Sequence, residues 1–247
     1  RTLRALYRDV GAAARAVSRI MAQPETPCAL EFIDGSAIAM IRQYQSAARA
    51  DLPEAAGAML MIEVDGSAAA IEPAAAAVAD AARGDGLLEL RAAADMTEVA
   101  ALWETRKALS PALRTLAPKK INEDVVVPVS RLAELIEGLQ ALSARHGVPI
   151  VNFGHAGNGN VHVNLLGDAG DPAQLAVMHA CLAAVFDLVL KLGGTLSGEH
   201  GVGLEKRAFV GREIGAIELA LMRQLKRVFD PQGILNPGKL FPDAEGP

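Results

Sequence analysis

The stretch 148–166 restricts this chain's local structure more tightly than any other. Two apolar-rich runs, 148–153 and 161–166, flank Gly157-Asn158-Gly159-Asn160. Glycine and asparagine there supply the backbone conformations of a tight reversal, so the predicted form is a β-hairpin. Side chains alternate along the return strand, which sets Asn160, His162 and Asn164 on one face and Val161, Val163 and Leu165 on the other. One face belongs to a core; the other is wet or functional.

The remaining elements alternate between short strands and helices. Leu3, Leu6, Val10, Val17 and Ile20 fall at helical spacing, which predicts one amphipathic helix over 1–23. A strand follows over 29–33, and Asp34-Gly35-Ser36 supplies cap chemistry for a helix with Met40, Ile41 and Tyr44 inward. Next come a strand over 58–64, an alanine-rich helix over 71–83, a strand over 87–91, and a helix from about 95 that ends before Pro111. The second half predicts a strand over 124–129 and a helix capped by Ser130 running to about 145. After the hairpin come a long helix starting at Asp171-Pro172 and a last one over 214–229. Two successive groups of this kind, without a long βαβαβ array, point to an α+β fold: an antiparallel sheet with helices on one face, in a duplicated ferredoxin-like arrangement.

Composition limits the function classes. Lys plus Arg number 24 against 29 Asp plus Glu, a net charge of −5, which is the wrong sign for a nucleic-acid-coating protein. With 51% hydrophobic residues there is ample material for a core. Cys28 and Cys181 match no zinc-finger or CxxC spacing and are too few for a disulfide framework, which favours a reducing compartment. No charged-then-apolar leader opens the chain and no run of roughly 18 uninterrupted apolar residues occurs, so the expected location is cytoplasmic, at most peripheral to a membrane. The first residue is Arg1 rather than Met and an element begins at once, so the chain reads as a fragment.

Chemistry concentrates in two glycine-rich segments. In 152–164 the hairpin can bring His155 and His162 together, as two imidazoles on one metal require. In 193–207, Glu199 could ligate and His200 could act as a base. The set His155, His162 and Glu199 leaves coordination positions open, as expected of a catalytic zinc or manganese ion. Two other readings fit the same residues: histidines that are only hydrogen-bonded, and a phosphate-cradling glycine loop, although the second segment lacks GxxxxGK[ST] and carries an acid at its centre. Arg106 shares a helical stripe with Met96, Val99 and Trp103, a position reserved for core. A guanidinium buried there requires an anion, either a ligand or an acid such as Glu104 or Asp124, unless the side chain snorkels to solvent.

GHAGNGNVHVN, SGEHGVGLEKR and the closing Phe229-Asp230-Pro231-Gln232-Gly233-Ile234-Leu235-Asn236-Pro237-Gly238-Lys239 resemble the C-terminal domain of FAD-linked oxidases. That group lies in the vanillyl-alcohol oxidase superfamily and includes the glycolate oxidase D subunit, D-lactate dehydrogenases and D-2-hydroxyglutarate dehydrogenase. Weaker similarity begins near Ala13 and includes Leu30-Glu31-Phe32-Ile33-Asp34 and Leu102-Trp103-Glu104-Thr105-Arg106, so it covers nearly all of 1–247.

The resemblance implies a substrate-binding cap over FAD that is held mainly by a separate N-terminal domain. It carries the metal ligands onto His155, His162 and Glu199, and the catalytic histidine onto His200. Substrate contacts fall on Arg106, Ser110, Lys120 and Asn164, and a position beside the flavin falls on Asn236. The implied reaction oxidises a small 2-hydroxy acid to the 2-oxo acid. The implied partners are the FAD domain and either a second copy or other subunits of an oxidase complex, with no nucleic acid. Two alternatives from the residues alone stay open: a self-contained metallohydrolase or lyase built on the same ligand set, and a non-catalytic partner subunit.

Overall fold

The structure is a computed structural model that describes residues 1–43, 52–107, 109, 113, 117, 119–168 and 170–242. Tyr44, Ser110 and Pro111, each named above, lie outside the described residues.

The strands are β1 (Thr2–Tyr7), β2 (Ala29–Asp34), β3 (Ala58–Glu63), β4 (Leu87–Ala92), β5 (Lys119–Val126), β6 (Ile150–His155) and β7 (Asn160–Gly167). The helices are α1 (Val10–Ala22), α2 (Gly35–Gln43), α3 (Ile71–Ala82), α4 (Met96–Lys107), α5 (Leu132–His146), α6 (Pro172–Lys191), the single turns α7 (Gly203–Lys206) and α8 (Val210–Glu213), and α9 (Ala216–Phe229). The strands form one sheet in the order β4-β1-β3-β2-β6-β7-β5, with every neighbouring pair antiparallel. β1-α1-β2-β3-α3-β4 is one βαββαβ unit with α2 inserted, and β5-α5-β6-β7-α6 begins a second. In the second unit the fourth strand shrinks to one antiparallel bridge between Thr195 and Val126. The units join edge to edge through β2 and β6. The α+β fold expected from the sequence is therefore present, duplication included.

The long helices α1, α3, α5 and α6 cover one face, where Tyr7, Phe32, Leu60, Val161, Val163 and Leu165 meet Val17, Ile20, Leu139 and Phe186. The opposite face is partly covered by α2 and α4 over Ile33, Met59, Val151 and Phe153. This second helical layer, absent from the sequence expectation, is what places α4 above the hairpin. By length and apolar composition α6 could cross a membrane. Here Met178, Cys181, Leu182, Val185 and Phe186 are buried in the core beneath it.

Three elements differ from the sequence reading; in α5 the cap position is Arg131, without a side-chain cap hydrogen bond, because Ser130 lies inside a preceding 3-10 turn over Val129–Arg131. The stretch 1–23 is a strand followed by a helix: β1 is buried at every position, and Asp9 caps α1 by accepting the Ala12 N–H at 2.7 Å. Because β1 is covered on both faces, Leu6 stands on the face that also carries Thr2 and Arg4, which breaks the alternation and lets the spacing of Leu3 and Leu6 mimic a helix. β5 begins at Lys119 and ends before Pro128, not at 124–129. Its polar residues Asn122 and Asp124 face a polar site instead of a core, which hides the strand from an apolar template.

Asp34 ties the seam between the units. Its Oδ1 accepts the Ala37 N–H at the start of α2 at 2.7 Å, and its Oδ2 accepts Asn152 N–H at 3.0 Å and Nδ2–H at 2.8 Å, all buried. Asp34→Ala removes a cap and strands two buried donors, so a loss of about 2–4 kcal/mol is expected in denaturant unfolding. A loss below about 0.5 kcal/mol would show that the seam holds without it.

Candidate active site

The hairpin register builds the floor of the site. Phe153 stands opposite His162 and His155 opposite Asn160, so the two imidazoles share the face that carries Val151. β2 sets Glu31 opposite His155, and β5 sets Asp124 opposite His162. Four strands thus contribute to one polar patch. Gly159 permits the tight turn: its φ is +76°, and a Cβ there would lie 1.9 Å from the Val127 carbonyl oxygen.

Glu199 reaches this floor from the loop after the Thr195 bridge. Its Oε1 lies 3.5 Å from His155 Nε2 and 3.5 Å from His162 Nε2. One ligand atom from each of these residues falls within 4.8 Å of the others, so the trio could hold a metal ion. The rings of His155 and His162 meet edge to face at 5.4 Å, and His200 stacks on His162 at 5.2 Å with 15° between planes. His200 Nδ1 is 3.6 Å from Asp124 Oδ1, and its Nε2 is 3.9 Å from Glu199 Oε1.

Electrostatics favour a neutral His162. Burial, reinforced by the charges of His155, His200 and Arg106, pushes it down to about 4. Its Nδ1 and Asn164 Oδ1 are buried without a hydrogen-bond partner among the described residues. Asn164 lies on the same face, where its Nδ2 donates to Val151 O at 3.0 Å and His162 O at 3.1 Å.

Two carboxylates that the sequence reading gave no site role hold this arrangement. Asp124, fully buried, accepts the backbone N–H groups of Glu199 and His200 through Oδ2 and the Lys206 ammonium through Oδ1. Burial alone would raise its carboxyl, but Lys206 and the two backbone donors hold it below the ordinary carboxylate range. The Glu199 and His200 N–H groups are committed to a protein carboxylate, which counts against a phosphate cradle built on them. Glu31 takes His155 Nδ1 on Oε1 and Arg106 Nε on Oε2, the latter at 2.8 Å. The acid that meets Arg106 is therefore Glu31, not Glu104 or Asp124. A charged residue inside an otherwise apolar strand, Ala29-Leu30-Glu31-Phe32-Ile33, was the available signal, because a buried carboxylate requires partners.

Arg106 stands over Phe153, its guanidinium carbon 4.7 Å from the ring centroid, with its side chain 18% exposed. α4 therefore delivers it beside the imidazoles. Lys120 is on the same face of β5 as Asp124 but four residues away, about 13 Å along the strand, outside the imidazole cluster. Asn236 is exposed and left-handed, with φ +46°, in a loop held by Asp230, which accepts the Ile234 and Leu235 N–H groups at 3.0 Å. Ser110 lies outside the described residues.

Comparison with known proteins connects this geometry to a family. The glycolate oxidase subunit GlcD of Bacillus subtilis (strain 168) is 35% identical over 241 residues, 98% of this chain and 51% of the relative. The probable mitochondrial D-lactate dehydrogenase of Danio rerio is 29% identical over 214 residues, 86% of this chain and 42% of that protein. The chain thus spans about half the length of the curated relatives it matches. A solved structure of p-cresol methylhydroxylase with substrate bound superposes with a TM-score of 0.73 at 14% identity, covering 100% of this chain and 53% of the other, a likeness of fold. Residues 1–240 match the family described as FAD linked oxidases, C-terminal domain, and the chain belongs to that family.

Proposed function

We propose that the chain is the substrate-binding part of an FAD-dependent oxidoreductase that converts a 2-hydroxy acid to its 2-oxo acid. The observation that carries this reading is the convergence of two imidazole Nε2 atoms and one carboxylate oxygen beside an arginine and a further histidine. The relatives' names, a glycolate oxidase subunit and a D-lactate dehydrogenase, indicate the substrate class. FAD would be held mainly by a part of the polypeptide outside this chain, with Asn236 on the side presented to it.

The donor set fits a divalent cation of the zinc or manganese class. His155 Nδ1 faces the Glu31 carboxylate, an acceptor, so a neutral ring would present its Nε2 lone pair on the side of Glu199, and His162 is neutral at ordinary pH. His155, His162 and Glu199 would hold the ion and leave positions open. When bound, the cation supplies positive charge beside the substrate hydroxyl and the flavin supplies a two-electron acceptor.

The chain's own residues do the remainder. Arg106, with Nε committed to Glu31, turns its terminal nitrogens to the substrate carboxylate, a charge-assisted pairing that orients the molecule. Lys120 would assist only toward the far end of a longer substrate. His200 takes the hydroxyl proton at Nε2, and Asp124 beside Nδ1 favours the resulting imidazolium. Asn164 holds the backbone of the ligand strand in place.

His200→Ala in the full-length flavoprotein is expected to lower kcat by at least a hundredfold while flavin absorbance stays unchanged. Near-normal turnover would remove His200 from the proton transfer. Arg106→Ala is expected to weaken hydroxy-acid binding by about 2–5 kcal/mol, read as a raised KM, and an unchanged KM would take it out of the site. A third expectation concerns the metal-free protein. His162 has a folded value of about 4 against about 6.5 when unfolded, so the native state binds fewer protons between those values. Its contribution to stability is present above about pH 6.5 and is lost as pH falls toward 4. His162→Gln should flatten that part of the stability profile, and an unaltered slope would contradict it.

A further inference from the structure

We infer that Glu31 is a positioning residue whose single carboxylate sets both the tautomer of His155 and the orientation of Arg106, and so couples the cation half of the site to the anion-gripping half. The inference rests on the reading proposed above.

Glu31 is 5% exposed and lies on β2 directly opposite His155. Ionised, it has acceptor capacity and no donor, and each oxygen has its own partner: Oε1 faces His155 Nδ1 and Oε2 faces Arg106 Nε at 2.8 Å. An imidazole that donates from Nδ1 carries its lone pair on Nε2, the nitrogen 3.5 Å from Glu199 Oε1. Among the described residues Glu31 is the acceptor that meets Nδ1, and so the group that selects the ligating tautomer. The same carboxylate fixes the guanidinium plane against Phe153, the neighbour of His155 on this face of β6. Arg106 in turn places a positive charge 2.8 Å from a carboxylate that would otherwise be buried alone on a strand. The ring–carboxylate contact spans 124 residues of sequence and the guanidinium contact 75, so the coupling is tertiary.

Glu31→Gln tests this in the full-length flavoprotein. The isosteric amide offers one oxygen and one NH2 group, so it can accept from one partner only and confronts the other with a donor. Divalent-cation affinity, measured by zinc titration of demetallated protein against a competing chelator, is expected to fall about 10–100-fold. KM for the hydroxy acid is expected to rise at least tenfold. Ring-nitrogen NMR of histidine-labelled, metal-free protein reads the tautomer directly: His155 should carry its proton on Nδ1 in the native chain and in Glu31→Asp, which keeps both acceptors, and should lose that preference in Glu31→Gln.

A proton on Nε2 of His155 in the unaltered protein overturns the inference, even if the Gln variant does not fold. So does Glu31→Gln with unchanged zinc affinity and tautomer, whatever happens to stability. His155→Gln separates this from failure of the underlying reading. If that variant binds zinc as the unaltered protein does, the metal centre itself falls; if it loses zinc and Glu31→Gln does not, only the role of Glu31 falls.

Discussion

The register between β6 and β7 is the constraint on which the site depends. Side chains alternate with a period of two, so sliding one strand by a single residue would send His162 into the helix-covered core and bring Val161 or Val163 to the polar face. That register is enforced from beneath: Val161, Val163 and Leu165 are buried in the core that α5 and α6 cover, and a one-residue slip would expose them. It is enforced from the turn as well, where Gly159 passes within van der Waals contact of the Val127 backbone. The core thus sets the spacing of the two imidazoles before any ligand is considered.

What the sheet cannot supply is held by buried carboxylates. Asp124 grips the loop through its backbone rather than its side chains, which leaves the Glu199 carboxylate and the His200 ring directed at the floor. Glu31 does the corresponding work for His155 and Arg106. Both acids lie on strands that flank the hairpin, one on each side, so the site is clamped symmetrically about β6 and β7. Each carries a cation, Lys206 for Asp124 and Arg106 for Glu31, which offsets the cost of burying the charge.

The departure from exact duplication creates room for the loop. A full fourth strand in the second unit would continue from the Thr195–Val126 pair back along β5 toward Lys119; the pairing stops at that single bridge instead. The chain then turns back across β5, where Gly198 packs so closely on the Asn160 side chain that a Cβ would lie within 2.9 Å of it. Glu199 and His200 follow at once. In the first unit the equivalent edge is closed by β4, and no such loop forms there among the described residues.

Much of this was legible in the sequence because it is local. The hairpin, the Asp171 cap of α6, the alternation that faces His162 away from the core, and the approach of His155 to His162 all follow from turn chemistry and period-two or helical spacing, whereas Glu199 reaches them only through the folding of a distant loop. β1 resembles a helix in sequence because Leu6 breaks the alternation of Thr2 and Arg4 with Leu3 and Ala5, and β5 is hidden because its polar side faces the site. The pairing of β2 with β6, the second helical layer carrying Arg106, and the partners of Glu31 and Asp124 were decided only by the tertiary structure. Backbone hydrogen bonds are alike in every strand and carry no address. Which strand edges meet, and which buried acid finds which cation, is settled when the whole chain covers its apolar surface at once.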